Sequence, residues 1–294
     1  MKLKLLIIIV LTGILLLAST YVRGQPDNTN HVPDAQTMDY LTKYAQAFGQ
    51  NDYHQALEFI NKAIEHQPDF YPEYILTSRA ITKQMLNDYQ GSLQDWNSVI
   101  SLAPNKSVHY NFRAHVKEKI GDYQGAIDDL TQSLQLKKNP EVYRVRGILR
   151  MKIKDNTGAI ADLTEAIALS PSTPWLYTLR ARLKTQMQDH KGAISDYSRL
   201  IEIAPNHVDS YVQRAKLQRA LNNPKAAMAD LNQAIKLNPE DDEAYYERAQ
   251  LRYTQGDPKG AAEDINQAIK LNPRNEAYQH EKERRLRTLL KNAM

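Results

Sequence analysis

Six arginines recur along the chain, and each is followed by an aspartate sixteen residues later. The pairs are Arg79 and Asp95, Arg113 and Asp129, Arg146 and Asp162, Arg180 and Asp196, Arg214 and Asp230, and Arg248 and Asp264. A charged pair of this kind could belong to an active site, but six copies in register make a catalytic role untenable. A half-buried guanidinium instead needs a carboxylate that can accept two hydrogen bonds. We therefore interpret the six pairs as structural ion pairs.

Other patterns that carry chemistry are missing from the sequence. The eight histidines form no HExxH motif and no pair at i, i+4, so no metal ligands are predicted. The chain has no G-x-S-x-G motif, no Walker loop, no G-x-G-x-x-G motif and no cysteine. We accordingly predict no catalytic residues, no cofactor and no enzymatic activity.

The arginine and aspartate pairs lie within a sequence repeat. Small residues precede an apolar residue at intervals of 33 to 36, at Ala56, Ser92, Ala126, Ala159, Ala193, Ala227 and Ala261. A second small residue stands twelve positions earlier in six of the units. Apolar or small residues follow at offsets of four and seven, which lie on one face of a helix. The pattern predicts two helices per unit and an all-α array.

A short turn joins the two helices of each unit. It begins with asparagine or glycine in five units, and these residue types tolerate the left-handed conformation that ends a helix. Lys154 and Gln188 stand at this place in the other two units. We expect those two turns to differ from the rest.

The recurring residues resemble the tetratricopeptide repeat (TPR) family, with its 34-residue period, small residues at repeat positions 8, 20 and 27, and proline at position 32. The resemblance covers residues 37–275 as seven repeats. It implies a right-handed superhelical solenoid of seven helix pairs with a concave groove. Residues 276–294 are predicted to form a C-terminal capping helix. Repeat one has Tyr44 where a small residue is expected, so its helices should be splayed or shifted in register.

The resemblance also implies that repeat positions 2, 5, 9 and 12 of each first helix face the groove; we call these the groove positions. From repeat four to repeat seven they carry cations and aromatic residues, namely Arg144, Trp175, Arg182, Lys216, Arg219, Tyr246 and Tyr253. We predict that this surface binds a protein or peptide partner, either an acidic segment or a free carboxyl terminus. The apolar wall at Leu41 and Phe48 is the next candidate, and a merely solvated groove is the alternative.

The amino terminus indicates the compartment. Lys2 and Lys4 precede an apolar run, and "VRG" stands before Gln25, so residues 1–24 are either a cleaved signal peptide or an uncleaved membrane anchor. Residues 25–36 form a predicted flexible linker. The formal charge of the chain is +4, and residues 1–24 supply three of those positive charges. The remainder of the chain therefore carries +1, which predicts no nucleic-acid footprint.

Both interpretations of this segment place the repeats outside the cytoplasm, in the periplasm, in the medium or anchored to the inner membrane. The TPR resemblance implies a non-enzymatic interaction scaffold there. The alternative is a substrate-recruiting or regulatory subunit of an envelope enzyme, such as a protease or a cell-wall-modifying enzyme. Co-purification of a separate catalytic chain would distinguish the two.

Overall fold

A computed structural model describes residues 33–292, with side chains as far as Arg284. All regular secondary structure in this range is helical and comprises fifteen helices. The all-α fold class is therefore confirmed. The predicted signal or anchor segment at 1–24 and most of the predicted linker lie outside the described residues. Between residues 33 and 292, the helices are too short or too polar to span a membrane.

The chain divides into two compact units after Asp155. The first unit contains α1 (Ala35–Gly49), α2 (Tyr53–His66), α3 (Pro72–Met85), α4 (Tyr89–Leu102), α5 (Ser107–Lys119), α6 (Tyr123–Leu136) and α7 (Pro140–Lys152). Helices α1 and α2, α3 and α4, and α5 and α6 pack as pairs, and each pair also packs against the helix that follows it. The first three repeats and the first helix of repeat four thus form one stack.

The second unit begins within repeat four. It contains α8 (Asn156–Leu169), α9 (Pro174–Gln186), α10 (His190–Ile203), α11 (Val208–Ala220), α12 (Pro224–Leu237), α13 (Asp242–Thr254), α14 (Pro258–Leu271) and α15 (Glu276–Asn292). Here α9 and α10, α11 and α12, and α13 and α14 pack as the pairs of repeats five, six and seven. Within each unit, successive pairs stack in the manner of a TPR solenoid.

Small residues allow the two helices of a pair to approach closely. The small residue on the second helix of each repeat is at most 6% exposed. These residues are Ala56, Ser92, Ala126, Ala159, Ala193, Ala227 and Ala261. At these positions a larger side chain would overfill the interface between the helices. The sequence repeat is therefore a packing repeat.

The turns between paired helices share one conformation. Asn87, Gly121 and Asn222 have φ values of 61°, 83° and 58°, and the two exceptions, Lys154 and Gln188, have 66° and 63°. The expectation that those two turns differ is wrong, because each of these short chain reversals uses a left-handed residue whatever its type. An aspartate often follows the turn and caps the second helix, as where Asp189 accepts a hydrogen bond from the Gly192 backbone N–H at 2.9 Å.

Repeat one accommodates Tyr44 without separating its helices. The Tyr44 side chain is fully buried, and its hydroxyl lies 3.3 Å from the Thr82 hydroxyl and 3.4 Å from the Ser78 carbonyl oxygen, both on α3. Ala47 and Ala56, on α1 and α2, stay at most 1% exposed. The expected splaying is therefore wrong, since the ring points toward the next repeat, where Ser78 and Thr82 admit it. Burial raises the pKa of Tyr44 to about 12.

Candidate functional site

In five of the arginine and aspartate pairs, both members lie in the same compact unit, and these five pairs share one geometry. The arginine Nε donates to aspartate Oδ2 at 2.8–3.0 Å, and Nη2 donates to Oδ1 at 2.5–2.7 Å, in the pairs that begin at Arg79, Arg113, Arg180, Arg214 and Arg248. The aspartates are buried and the arginines partly buried. These are bidentate contacts that tie the two helices of a repeat together. Arg146 and Asp162 lie in different units, so that pair stays a prediction.

Each arginine also reaches the preceding repeat. Its Nη1 donates to a short polar side chain on the previous second helix, for example from Arg180 to Thr164 at 2.9 Å and from Arg214 to Ser198 at 2.9 Å. In five of the six repeats, the guanidinium also lies over a tyrosine ring at 5.5–6.0 Å, on Tyr110, Tyr143, Tyr177, Tyr211 or Tyr245. The recurring tyrosines at repeat position 4 therefore pack on the arginine as cation–π partners.

A second cation joins most of these pairs and was missed in the sequence. It stands four residues after the arginine and contacts the same aspartate Oδ2, at 2.8 Å for Lys83, 3.0 Å for Lys117, 2.9 Å for Lys184 and 3.0 Å for Arg252. The spacing of four was visible in the sequence and places both cations on one helix face. Repeat six has Gln218 at this place, and its Oε1 is buried without a hydrogen bond to any described residue.

Three predicted groove cations of the second unit are paired with carboxylates 27 or 28 residues later. Arg182 Nη2 lies 3.4 Å from Asp209 Oδ2, and Lys216 Nζ lies 2.8 Å from Glu243 Oε1. Arg219 Nη2 lies 2.7 Å from Oε2 of Glu247, whose pKa is raised by burial despite the nearby Arg219 charge. Each cation is thus matched by an acidic residue of the next repeat, so this surface has little net positive charge.

Arg144, the remaining predicted groove cation, lies in the first unit. It pairs with Glu141 on its own helix, with Nε 2.8 Å from Glu141 Oε2. The other six predicted groove residues lie in the second unit. The grouping of all seven therefore stays a prediction.

The aromatic residues predicted for the groove have different surroundings. Tyr246 lies 4.6 Å from Tyr278 between ring centroids, and Tyr278 on α15 is buried, so Tyr246 belongs to the contact with the capping helix. Tyr253 lines an apolar cavity of about 160 Å³ between α13, α14 and α15. Trp175, in the first turn of α9, keeps 44% of its surface exposed. Arg182 follows two turns later on the same helix face and is 65% exposed.

The apolar wall at Leu41 and Phe48 is not a surface. Leu41 is 3% exposed and Phe48 is 5% exposed, and both belong to a core cluster with Ile75 of α3. The prediction of a second binding surface there is wrong, because the next repeat covers these side chains.

A different set of groove positions surrounds a cavity in the first unit. Its volume is about 230 Å³, and it lies between α5, α6 and α7. Asn111, His115 and Glu118, at positions 5, 9 and 12 of repeat three, line it together with aliphatic side chains. The family resemblance implies that these three residues face the groove, but periodicity could not show that a recess opens beside them. Among the described residues, no group of three or more histidine, aspartate or glutamate side chains could hold a metal ion.

Comparison with known families and structures identifies the repeat. Two family models described as tetratricopeptide repeat match residues 176–207 and 212–276. The chain therefore contains TPR repeats. No curated protein matches the chain.

Solved TPR structures share the fold. A tetratricopeptide repeat protein from Parabacteroides merdae is 18% identical, with a TM-score of 0.54, and covers 85% of this chain and 99% of its own. The C-terminal part of a TPR protein from Cytophaga hutchinsonii is 19% identical, with a TM-score of 0.67, and covers 81% of this chain and 97% of its own. YrrB, described as a TPR protein with an unusual peptide-binding site, is 15% identical, with a TM-score of 0.55, and covers 64% of this chain and 97% of its own.

Proposed function

We propose that the protein is a non-enzymatic interaction scaffold that acts outside the cytoplasm and binds an acidic segment of a partner protein on α9. The observation that carries the proposal is the pair of Trp175 and Arg182, which are seven residues apart and therefore share one helix face. Trp175 is an exposed large aromatic residue and Arg182 is the most exposed of the paired groove cations. Tryptophan and arginine are the residue types that anchor protein interfaces most often.

The ionic contact of Arg182 leaves room for a partner. Its distance to Asp209, 3.4 Å, is long for a charge-assisted hydrogen bond, and Asp209 is itself 37% exposed. An acidic residue of a partner can therefore compete for the guanidinium, whereas Arg219 is held against the buried Glu247. The protein-binding role of TPR arrays, including the peptide site named for YrrB, supports this class of function.

The experiment for the binding proposal is crosslinking in the native envelope, followed by identification of the captured protein. Trp175→Ala should weaken capture by about 1–3 kcal/mol, and Arg182→Glu should abolish it. Arg199→Glu is the matched control, because Arg199 is an exposed cation on α10 that pairs with the exposed Glu202. If both charge reversals reduce capture equally, the α9 surface is not the site.

The proposed location rests on the sequence of residues 1–24. Amino-terminal sequencing of the native protein should give a start at or near Gln25. An intact Met1 on membrane-bound material would favour the anchor, and an intact Met1 on cytoplasmic protein would exclude both. A separate catalytic chain among the crosslinked partners would indicate the recruiting subunit instead of a free-standing scaffold.

A further inference from the structure

The cavity between α5, α6 and α7 is shaped for one apolar side chain. Ala114, Leu130, Val142, Val145 and Leu149 supply aliphatic walls, and these come from three different helices. The volume of about 230 Å³ is below the roughly 300–1,000 Å³ of pockets that enclose whole small molecules. A single side chain projecting from a larger ligand is the occupant that matches this size.

Asn111 at the edge of this cavity has an unsatisfied hydrogen-bonding atom. Its Oδ1 is buried and forms no hydrogen bond to any described residue. A buried carbonyl without a partner destabilises a fold, so a native chain seldom retains one in a wall that could be apolar. Asn111 lines the cavity, so its amide group lies beside the space that a ligand would occupy. An N–H donor beside the bound side chain would satisfy that oxygen.

The rim of the cavity is electrically balanced. Glu118 pairs with Lys152 at 2.7 Å, and Glu141 pairs with Arg144. Burial, together with the charge of Lys119, lowers the pKa of His115, so its ring is neutral at pH 7. The two carboxylates are each neutralised from within the protein, and an uncharged ligand fits this rim better than an ion.

We propose that this cavity binds one aliphatic side chain of an uncharged, extended peptide segment, and that Asn111 accepts a hydrogen bond from the peptide backbone. The proposal rests on the scaffold function and adds a second contact to it. A fatty acyl chain lacks the N–H donor, and a free amino acid carries charges that the rim does not match. A segment of a partner polypeptide supplies both the side chain and the donor.

The test uses the full chain and a small photoreactive probe. N-acetyl-photoleucine N-methylamide carries a leucine-sized diazirine side chain between two peptide groups. After irradiation, mass spectrometry should locate the label on α5, α6 and α7. Unlabelled N-acetyl-leucine N-methylamide should compete at least about tenfold better than the alanine analogue, because each buried methylene contributes to affinity. An ester analogue without the second N–H should compete less well.

Two variants distinguish the binding role of Asn111 from a structural one. Asn111→Leu should lower labelling roughly two- to tenfold, the usual worth of one hydrogen bond, yet raise the midpoint of thermal unfolding because the unsatisfied carbonyl is gone. Val145→Phe should abolish labelling by filling the cavity. Thr178→Leu, at position 5 of repeat five, is the matched control and should leave labelling unchanged.

Equal labelling of Asn111→Leu and the wild type, or labelling spread equally over other helices, would overturn the proposal. Partner capture that depends on Trp175 but is accompanied by no probe labelling would overturn the cavity alone and leave the scaffold function standing. Labelling of α5 to α7 that responds to both variants, without any captured partner, would support the cavity and count against the scaffold.

Discussion

Repeats five and six hold the same buried aspartate in different ways. In repeat five, Asp196 accepts two hydrogen bonds from Arg180 and also contacts Lys184 at 2.9 Å. In repeat six, Asp230 accepts the same two bonds from Arg214, but Gln218 stands where the lysine would be. The side chain of Asp230 is 8% exposed and that of Asp196 is 4% exposed. The arginine is thus the constant partner, and the second cation accompanies the more deeply buried carboxylate.

The difference shows what each charge does. A bidentate arginine satisfies both carboxylate oxygens in either repeat, so the pair alone is enough to bury the aspartate. The lysine adds a second attraction but also a second partly buried charge that depends on the same aspartate. Repeat five should therefore be more sensitive than repeat six to loss of its carboxylate.

The largest effect is expected from removing the aspartate of repeat five. Asp196→Ala leaves Arg180 and Lys184, which are 13% and 16% exposed, without their anion. The free energy of unfolding should fall by about 3–5 kcal/mol. Asp230→Ala should cost less, because only Arg214 loses its partner. Denaturant unfolding of both variants, with hydrogen exchange of α9–α12, measures the difference. If the two costs are equal, the second cation has no energetic role.

The next largest difference in stability between repeats five and six is expected when both members of an ion pair are replaced. Arg214→Met with Asp230→Leu leaves no unpaired charge in repeat six and should stay within about 1 kcal/mol of the wild type. Arg180→Met with Asp196→Leu leaves Lys184 against an apolar side chain and should lose about 1–3 kcal/mol. Adding Lys184→Gln to the second variant should restore stability. Recovery of repeat five without that third change would contradict this account.

A gain of about 1 kcal/mol is expected when repeat six is given the second cation. Gln218→Lys removes the buried amide oxygen that has no hydrogen bond and places an ammonium group near Asp230. The increase should appear as a higher denaturant midpoint with an unchanged m-value. Lys184→Gln in repeat five is the reverse change and should lower the midpoint. A Gln218→Lys protein no more stable than the wild type would show that Asp230 gains nothing from a second cation beside Arg214.

The turns of the same two repeats should give the smallest effect. Gln188 adopts φ 63° and Asn222 adopts φ 58°. The left-handed conformation costs more free energy for a long side chain such as glutamine than for asparagine. Gln188→Gly should stabilise by about 0.5–1 kcal/mol, whereas Asn222→Gly should be nearly neutral. Thermal unfolding of both variants checks this, and equal shifts would mean that residue type does not matter at this turn.

Part of the local chemistry of each repeat was predictable from the sequence, because its rules act within one helix pair. The second cation on four of the aspartates was nevertheless missed, and the turns at Lys154 and Gln188 were predicted wrongly. Small residues, turn positions and the arginine at a fixed distance from its aspartate all follow from spacing. What one repeat does to its neighbour was not predictable. Phe48 is buried because the next repeat lies over it, and Arg219 is neutralised by Glu247 from the following repeat. The family resemblance implies the groove positions, but neither it nor the periodicity can show which of them a neighbouring side chain covers or neutralises.

The contacts of the arginines can form in the order in which the chain is synthesised. Five of the six guanidinium groups bond both within their own repeat and to a side chain of the preceding one, as Arg214 does with Asp230 and Ser198. A ribosome makes the chain from the amino terminus, so the earlier acceptor already exists when each arginine emerges. The polar contacts of a repeat are then completed once its own second helix has been synthesised. A nascent chain interrupted after Leu237 keeps every described partner of Arg214, whereas a fragment that starts at Val208 lacks Ser198 and leaves one donor to water.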